Sequence, residues 1–422
     1  MKLSLCMIVK NEAATLPKCL NSVKGVVDEM IILDTGSSDR TPHIAQEFGA
    51  QVYHFQWCDD FSAARNAALQ YVTGDWILVL DADETLTPSI LPQMMSAIQS
   101  EEYLLINLVR QEVGAEQSPY SLVSRLFRNH PQIHFQRPYH ALVDDSASAI
   151  LTQEPHWQIG YLPGVAILHK GYQKTAIAQN NKYAKAQTTM EGFLVNHPND
   201  PYVCSKLGAL YVQIGKIDQG MNLLHRGLNQ ATVSHSSTDR QNSQSGNSLS
   251  QGIKPGEENY EIVYELHYHL GIAHNHLQNT QQAISHYQAA IKLPIYPMLK
   301  LGAYNNLGNL LKASGDVKGA KIAYETTLKI DPNFVMGHYN LGMICKTLGL
   351  FTDAIACYQK AIRCNPSYAQ AYQNLGVVQL KVGNVQASLT AFQNAILLYE
   401  QQHSAEANRL RQGLREMGLI KS

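Results

Sequence analysis

The chain has 422 residues, 45% of them apolar and 16% charged, and a net charge of −1. This length fits two or three domains with large cores, and the near-neutral balance excludes a nucleic-acid-binding or polybasic membrane-surface role. No apolar stretch approaches the roughly 20 residues of a membrane-spanning helix, and the seven cysteines form no CxxC pair, so they read as buried thiols of a cytoplasmic protein rather than disulfides or a zinc site.

In chain order, residues 3–9 are an apolar run that predicts a buried strand, closed by Lys10-Asn11-Glu12. A single Lys precedes a run that the sheet needs as a strand, so no signal peptide is expected. Residues 14–23 have helical period, with Leu16, Leu20 and Val23 on one face. A second strand over 29–33 is closed by Asp34-Thr35-Gly36-Ser37-Ser38-Asp39-Arg40-Thr41. Ser37, Ser38 and Asp39 there supply N-cap chemistry for a helix over 41–48, so Asp39 and Thr41 read as caps rather than ligands. A short strand over 51–55 and a helix over 61–71 follow. A fourth strand over 76–80 ends on Asp81-Ala82-Asp83. Strands alternating with helices imply a doubly wound parallel sheet. Asp34, Asp81 and Asp83 then lie at carboxyl ends of strands, where such sheets bind ligands. In an extended exit, residues two apart point the same way. Paired carboxylates there suit Mg²⁺ or Mn²⁺ holding a diphosphate.

Further on, 121–128 is strand-like, the chain turns through 129–132, and 133–135 is expected to return as a strand until Pro138 stops regular pairing. The segment after Pro138 is expected to fold over the crevice. A short apolar run over 165–168 precedes His169. Gly308, Gly342 and Gly376 then recur every 34 residues, each in Asn-Leu-Gly. At fixed offsets follow Ala320, Ala354 and Ser388, then Tyr324, Tyr358 and Phe392, then Pro332 and Pro366. Weaker copies surround Gly271 and Gly208, and Ala186, Met190 and Pro198 fit the second helix of a half-repeat. The polar stretch 231–258 reads as a mobile loop inserted between repeats. Ala407, Leu410, Leu414 and Met417 read as the apolar face of a terminal capping helix.

The 34-residue pattern resembles the tetratricopeptide repeat. Leu5-Cys6-Met7-Ile8-Val9-Lys10-Asn11-Glu12, the 34–41 segment, Asp59-Asp60-Phe61-Ser62-Ala63-Ala64-Arg65-Asn66 and Leu80-Asp81-Ala82-Asp83-Glu84 stand in order. Together with Arg125-Leu126-Phe127-Arg128-Asn129 and His169-Lys170-Gly171-Tyr172, they resemble glycosyltransferase family 2 over residues 1–172. The expected architecture is an α/β domain of the nucleotide-diphosphosugar transferase (GT-A) type, doubly wound and mostly parallel, over 1–172. A helical linker over 173–200, an all-α repeat superhelix over 201–400 and a capping helix over 401–422 follow.

The resemblance also implies roles. Asn11 and Glu12 line the nucleotide edge, Asp34 bonds the base, and Arg65 neutralises the diphosphate. Asp81 faces the ribose or the metal, Asp83 holds the divalent cation, and His169 completes its shell or touches the diphosphate. The implied activity is metal-dependent transfer of a sugar from a nucleotide-sugar donor, a UDP-sugar by family expectation, with inversion. The repeats would bind a peptide, protein or glycan acceptor. One departure matters. Relatives carry His-Glu after Arg-Asn, whereas this chain reads Tyr139-His140-Ala141-Leu142-Val143-Asp144-Asp145. His140 keeps the family position, and Asp144 and Asp145 are candidate replacements for the missing base. Two other readings are a non-catalytic repeat scaffold with a degenerate transferase domain, and a nucleotidyltransferase. The second would want a Gly-rich basic loop where Lys10-Asn11-Glu12-Ala13 stands.

Overall fold

Strands β1 (Leu3–Val9), β2 (Glu29–Asp34), β3 (Gln51–His54) and β4 (Trp76–Val79) form where the apolar runs predict them. They belong to a computed structural model that describes residues 1–115, 117–170, 182–238, 260–402 and 404–420. The runs are continuous because both faces of this sheet are covered. Leu3, Leu5, Met7 and Leu78 pack under α1 (Leu16–Val23), while Cys6, Ile77 and Val79 pack under α3 (Phe61–Leu69). Burying Leu16, Leu20 and Val23 contributes roughly 1.5–3 kcal/mol each. Helix α2 (Thr41–Glu47) follows β2, and α4 (Leu91–Ala97) follows β5 (Glu84–Leu86).

The sheet is mixed and has eight strands. Strands β6 (Tyr103–Glu112), β7 (Tyr120–Arg128) and β8 (Gln158–His169) complete it in the order β3-β2-β1-β4-β7-β6-β8-β5. Strands β1 to β4 pair in parallel, but β7 runs antiparallel to both β4 and β6, and β5 antiparallel to β8. The expected return strand at 133–135 does not form. Ile133 and Phe135 are buried side chains of a loop instead, and Asn66 grips that loop by donating to the Phe135 carbonyl at 2.9 Å and accepting its N–H at 2.7 Å. Around Pro138, an isolated bridge joins Gln136 to Leu142.

Glu29 ties the other end of the sheet. Its nearly buried carboxylate accepts bonds from Ser4 Oγ (2.5 Å), Thr73 N and Oγ1 (both 2.7 Å) and Lys2 Nζ (3.1 Å).

The contacts divide the chain into two units, residues 1–115 with 119–277, and 278–422 with 116–118. The first unit therefore runs past residue 172. It includes α6 (Lys182–Asn196), α7 (Pro201–Gln213), α8 (Ile217–Thr238) and α9 (Tyr260–His276). Ala186, Met190 and Leu194 of α6 pack on Val203, Leu207 and Leu210 of α7. Residues 231–238, expected in a loop, continue α8, and the rest of that segment lies outside the described residues, as do Gly171 and Tyr172.

The second unit is helical: α10 (Thr280–Lys292), α11 (Leu301–Ala313), α12 (Val317–Ile330), α13 (Val335–Thr347), α14 (Phe351–Cys364), α15 (Ala369–Lys381), α16 (Val385–Gln402) and α17 (Ser404–Glu416). The recurrent glycines exist because the partner helix lies close. A Cβ on Gly308 would sit 2.6 Å from the Tyr324 ring, on Gly342 2.7 Å from Tyr358, and on Gly376 2.8 Å from Phe392. Ala407 and Leu414 of α17 are buried as a cap requires, but Met417 lies beyond that helix and is 56% exposed.

Candidate active site

The turns after β1 and β2 are stitched together. Asn11, held at φ +57°, accepts the Ser38 N–H on Oδ1 at 2.8 Å, and its own N–H donates to Ser37 Oγ at 2.9 Å. The Glu12 N–H donates to Thr41 Oγ1 at 2.8 Å. Thr41 is bound in turn to Asp39, but the expected cap does not form: the N-cap of α2 is Arg40, with no side-chain cap bond, and Asp39 and Thr41 tie the turn before it. Asp34 is buried, accepts the Gly36 and Ser37 N–H groups, and faces His54 Nδ1 at 3.5 Å. These bonds fix one edge of the crevice.

The opposite edge is the exit of β4. Asp81 is clamped between two guanidiniums, Arg65 of α3 at 2.7 Å and Arg125 of β7 at 2.9 Å. Burial pushes the Asp81 carboxyl upward, but Arg125 and Arg65 outweigh it and hold the carboxyl well below the usual range. Arg65 is buried and lies 5.4 Å from the Phe135 ring centroid, so the gripped loop also positions this arginine. Arg125 stands in the Arg-Leu-Phe-Arg-Asn motif, which by itself implies no role for it. Its sequence shows only an arginine on a strand, and nothing local reveals that antiparallel pairing of β7 with β4 brings it to Asp81.

Asp83 meets His169, the last residue of β8, at 3.1 Å. His169 Nδ1 also bonds Glu112. Burial pushes the imidazole down, yet Asp83 and Glu112 raise it to about 10. The register explains the meeting, since His169 stands opposite Glu84 in β5 and Glu112 in β6. Behind it runs an alternating series of charges. Glu112 pairs with Arg110 at 2.9 Å and Arg110 with fully buried Glu84 at 3.0 Å. Glu84 accepts the Asp81 N–H at 2.8 Å. The two carboxylates of the Asp-Ala-Asp exit are thus braced from behind.

Asp81, Asp83 and His169 do not form one closed metal cage, and no group of three such side chains does so among the described residues. Both Asp81 oxygens already accept from arginines. Asp83 Oδ2 and His169 Nε2 lie 3.1 Å apart, and a cation bound between them would have to displace the proton that His169 holds there. Two protein donors fit Mg²⁺ or Mn²⁺, which take remaining positions from substrate phosphates and water.

The three base candidates separate. His140 is exposed, at φ +53°, with its ring against Tyr139. Asp144 opens a helix that the sequence reading did not foresee, α5 (Asp144–Gln153), anchored by buried Val143, Ala147 and Ile150. Its Oδ1 lies 2.7 Å from Ser124 Oγ, and its buried Oδ2 has no hydrogen-bond partner. Burial raises this carboxyl above its ordinary value. Asp145 is bound by Arg137, which also pairs with Asp200 at 2.9 Å. Asp200 caps α7 by accepting the Val203 N–H at 2.8 Å. Arg137 therefore joins the segment after β7 to the first repeat, and Asp145 belongs to that joint.

The model for glycosyl transferase family 2 matches residues 4–160, and tetratricopeptide-repeat models match 264–294, 301–334 and 344–383. A TPR repeat-containing protein of Synechococcus elongatus is 44% identical over 75% of this chain and 72% of its own length. The prophage-derived glycosyltransferase SunS of Bacillus subtilis is 25% identical over 53% of this chain, which spans about half (52%) of SunS. Among solved structures, that of MamA aligns with 46% of this chain and 96% of its own, at 17% identity and TM-score 0.36. Residues 4–160 thus form a glycosyl transferase family 2 domain, and the chain belongs with the tetratricopeptide-repeat proteins through the repeats that follow it.

Proposed function

We propose that the protein moves a sugar from a nucleotide-diphosphate donor to an acceptor carried by the repeats, with a divalent cation at Asp83 and His169. The observation that carries this reading is the convergence of the Arg65–Asp81–Arg125 clamp and the Asp83–His169 pair at one strand exit. Arg65 and Arg125 stand where negative charge builds on a departing diphosphate, and preset positive groups there lower the barrier. Asp81 holds both guanidiniums apart and oriented. Asp34 and Asn11 hold the opposite edge for the nucleotide. A bound cation would add charge stabilisation at the diphosphate. Attack from the far side of the anomeric carbon gives inversion, and Asp144 is the carboxylate left free of an ion pair to take the acceptor proton.

Asp83→Asn keeps the side-chain volume and removes the charge. Donor turnover, screened across nucleotide sugars with Mn²⁺, should fall at least about 100-fold while the melting temperature holds. Turnover within a few-fold of wild type, with chelator also harmless, sinks the assignment. One observation favours a non-catalytic scaffold: Asp145, a candidate base, is committed to Arg137. Absence of turnover with every donor would support that second reading.

A further inference from the structure

Helices α7 and α9 carry a polar group that has no part in the donor clamp. Lys206 of α7 donates to both carboxylate oxygens of Glu265 in α9, at 2.7 and 2.6 Å, and Ser205 Oγ donates to the same carboxylate at 3.3 Å. The Tyr202 ring, one turn before Lys206, is flanked by two cations. Lys206 Nζ lies 5.1 Å and the Arg137 guanidinium 5.3 Å from its centroid. Glu261, one turn before Glu265, accepts a bond from Tyr161 of β8, so α9 faces the sheet.

An ion pair between two helices is ordinarily a structural tie. That accounts for the join of α7 to α9, but not for the direction in which the pair opens. Its two side chains stay 25% and 31% exposed. The charges of Lys206 and Glu265 act on His140 together with those of Arg110 and Arg125. Tyr202 lies within electrostatic reach of Arg125 in the clamp and of Asp144, whose buried Oδ2 has no hydrogen-bond partner. His140 is exposed, yet the surrounding protein pushes its imidazole below the ordinary range, as on the wall of a concave cleft. Its backbone, at φ +53°, and that of Arg137, at φ +72°, are left-handed, which non-glycine residues hold only where their surroundings enforce it. Between them, the Pro138 carbonyl accepts the Phe61 N–H at 2.9 Å and Tyr139 packs on the apolar cluster of α6 and α7. Lys206, Glu265 and Tyr202 therefore border the same cleft as the clamp and Asp144.

In an inverting displacement, the sugar ring stands between the departing diphosphate and the group that takes the acceptor proton. That interval is the one between Arg125 and Asp144. Each sugar hydroxyl both donates and accepts, and an ammonium beside a carboxylate offers both partners in one place. The pair carries no net charge, which suits a neutral ring. We propose that Lys206 and Glu265 bind the hydroxyls of the transferred sugar, a neutral hexose, with Tyr202 beside the ring, so that α7 and α9 select the sugar of the donor. This rests on the reading that the protein transfers a sugar, but its test separates the two.

The test is calorimetric titration of the full chain, with Mn²⁺, by UDP, UDP-glucose, UDP-galactose and UDP-glucuronate, and by GDP and GDP-mannose. Wild type should bind one hexose conjugate at least about tenfold more tightly than the diphosphate alone. Lys206→Met combined with Glu265→Gln removes both charges at once, so neither is left unpaired. This variant should hold the diphosphate within about twofold and lose the added affinity of the hexose. The exchange Lys206→Glu with Glu265→Lys keeps an ion pair between the helices. Its melting temperature should match that of wild type, and the added affinity should still be missing. Recovery of that affinity in the exchanged protein would show that the pair is only a structural tie, and would overturn the proposal. So would equal losses of diphosphate and conjugate, an unchanged affinity for the conjugate, or tighter binding of the glucuronate than of any hexose. Failure of both diphosphates to bind wild type would instead overturn the transferase reading, and this assignment with it.

Discussion

Single side chains decide whether this scaffold is both stable and competent. Glu29 binds far from the crevice, and burial opposes its charge. Bonds from Ser4, Thr73 and Lys2 nevertheless hold it at about 2, against an ordinary 4.5. A carboxyl lowered on folding contributes stability above its unfolded pKa and loses it as pH falls through the folded one. Glu29→Gln should thus cost roughly 3 kcal/mol at pH 7, and less at each step of acidification between about 4.5 and 2. Denaturant melts across that window check it, and parallel curves for both proteins would refute it. Asp144 has the opposite sign, because burial raises it. Asp144→Asn should leave stability unchanged in acid and increase it at neutral pH and above. If Asp144 is also the base, the same variant removes the acidic limb of turnover against pH while donor affinity holds. Unaltered turnover at every pH would show that its burial serves packing alone. Neither position announces itself in sequence. Glu29 reads as the polar start of a strand, and Asp144 as half of an acidic pair whose members face different partners.

Elements that bury one complete pattern were legible, and elements that depend on distant partners were not. Strands β1, β2 and β4 are covered on both faces, so their runs are unbroken. Strand β8 contains Pro163 and Gly164, the latter at φ +96°, and its register with β6 shifts there. That interruption left only 165–168 visible. Strand β6 ends in Arg110 and Glu112, charged residues whose burial makes sense only beside Glu84 and His169. The same distinction explains the site. Asp81, Asp83, Arg65 and His169 sit in motifs that suggest their roles, whereas Arg125 sits in a motif but owes its place beside Asp81 to the antiparallel pairing of β7 with β4. In the repeats, one local rule governs: glycine on the first helix faces an aromatic on the second. Gly342→Ala drives a methyl toward Tyr358, and overpacking of this kind costs about 1–3 kcal/mol. Guanidinium-induced unfolding should show a lower midpoint at constant slope. An unchanged midpoint would mean that the two helices separate without penalty.

At the scale of the molecule, the unit that holds the sheet runs on into α6 and α7. Arg137 bridges Asp145 to Asp200, and Lys185 reaches Asp59 at 3.1 Å while lying 4.6 Å from the Trp57 ring centroid. Truncation at Pro201 cuts beside the α7 cap and should give an unstable protein. Truncation after Leu277 preserves the first unit, and donor hydrolysis should stay within a few-fold of the full chain while transfer to the acceptor is lost. Normal transfer by the shorter protein would show that the second unit does not recognise the acceptor. The braced charges behind the Asp-Ala-Asp exit carry a separate consequence. Mobile ions screen exposed charges over about 10 Å at 0.1 M salt and about 3 Å at 1 M, but barely reach buried ones. Exposed pairs such as Arg40–Glu47 and Arg409–Glu406 fade in brine. The series from Glu112 through Arg110 to buried Glu84 does not. Ionic strength thus loosens the surface of this protein and leaves the wall behind its Asp-Ala-Asp exit intact.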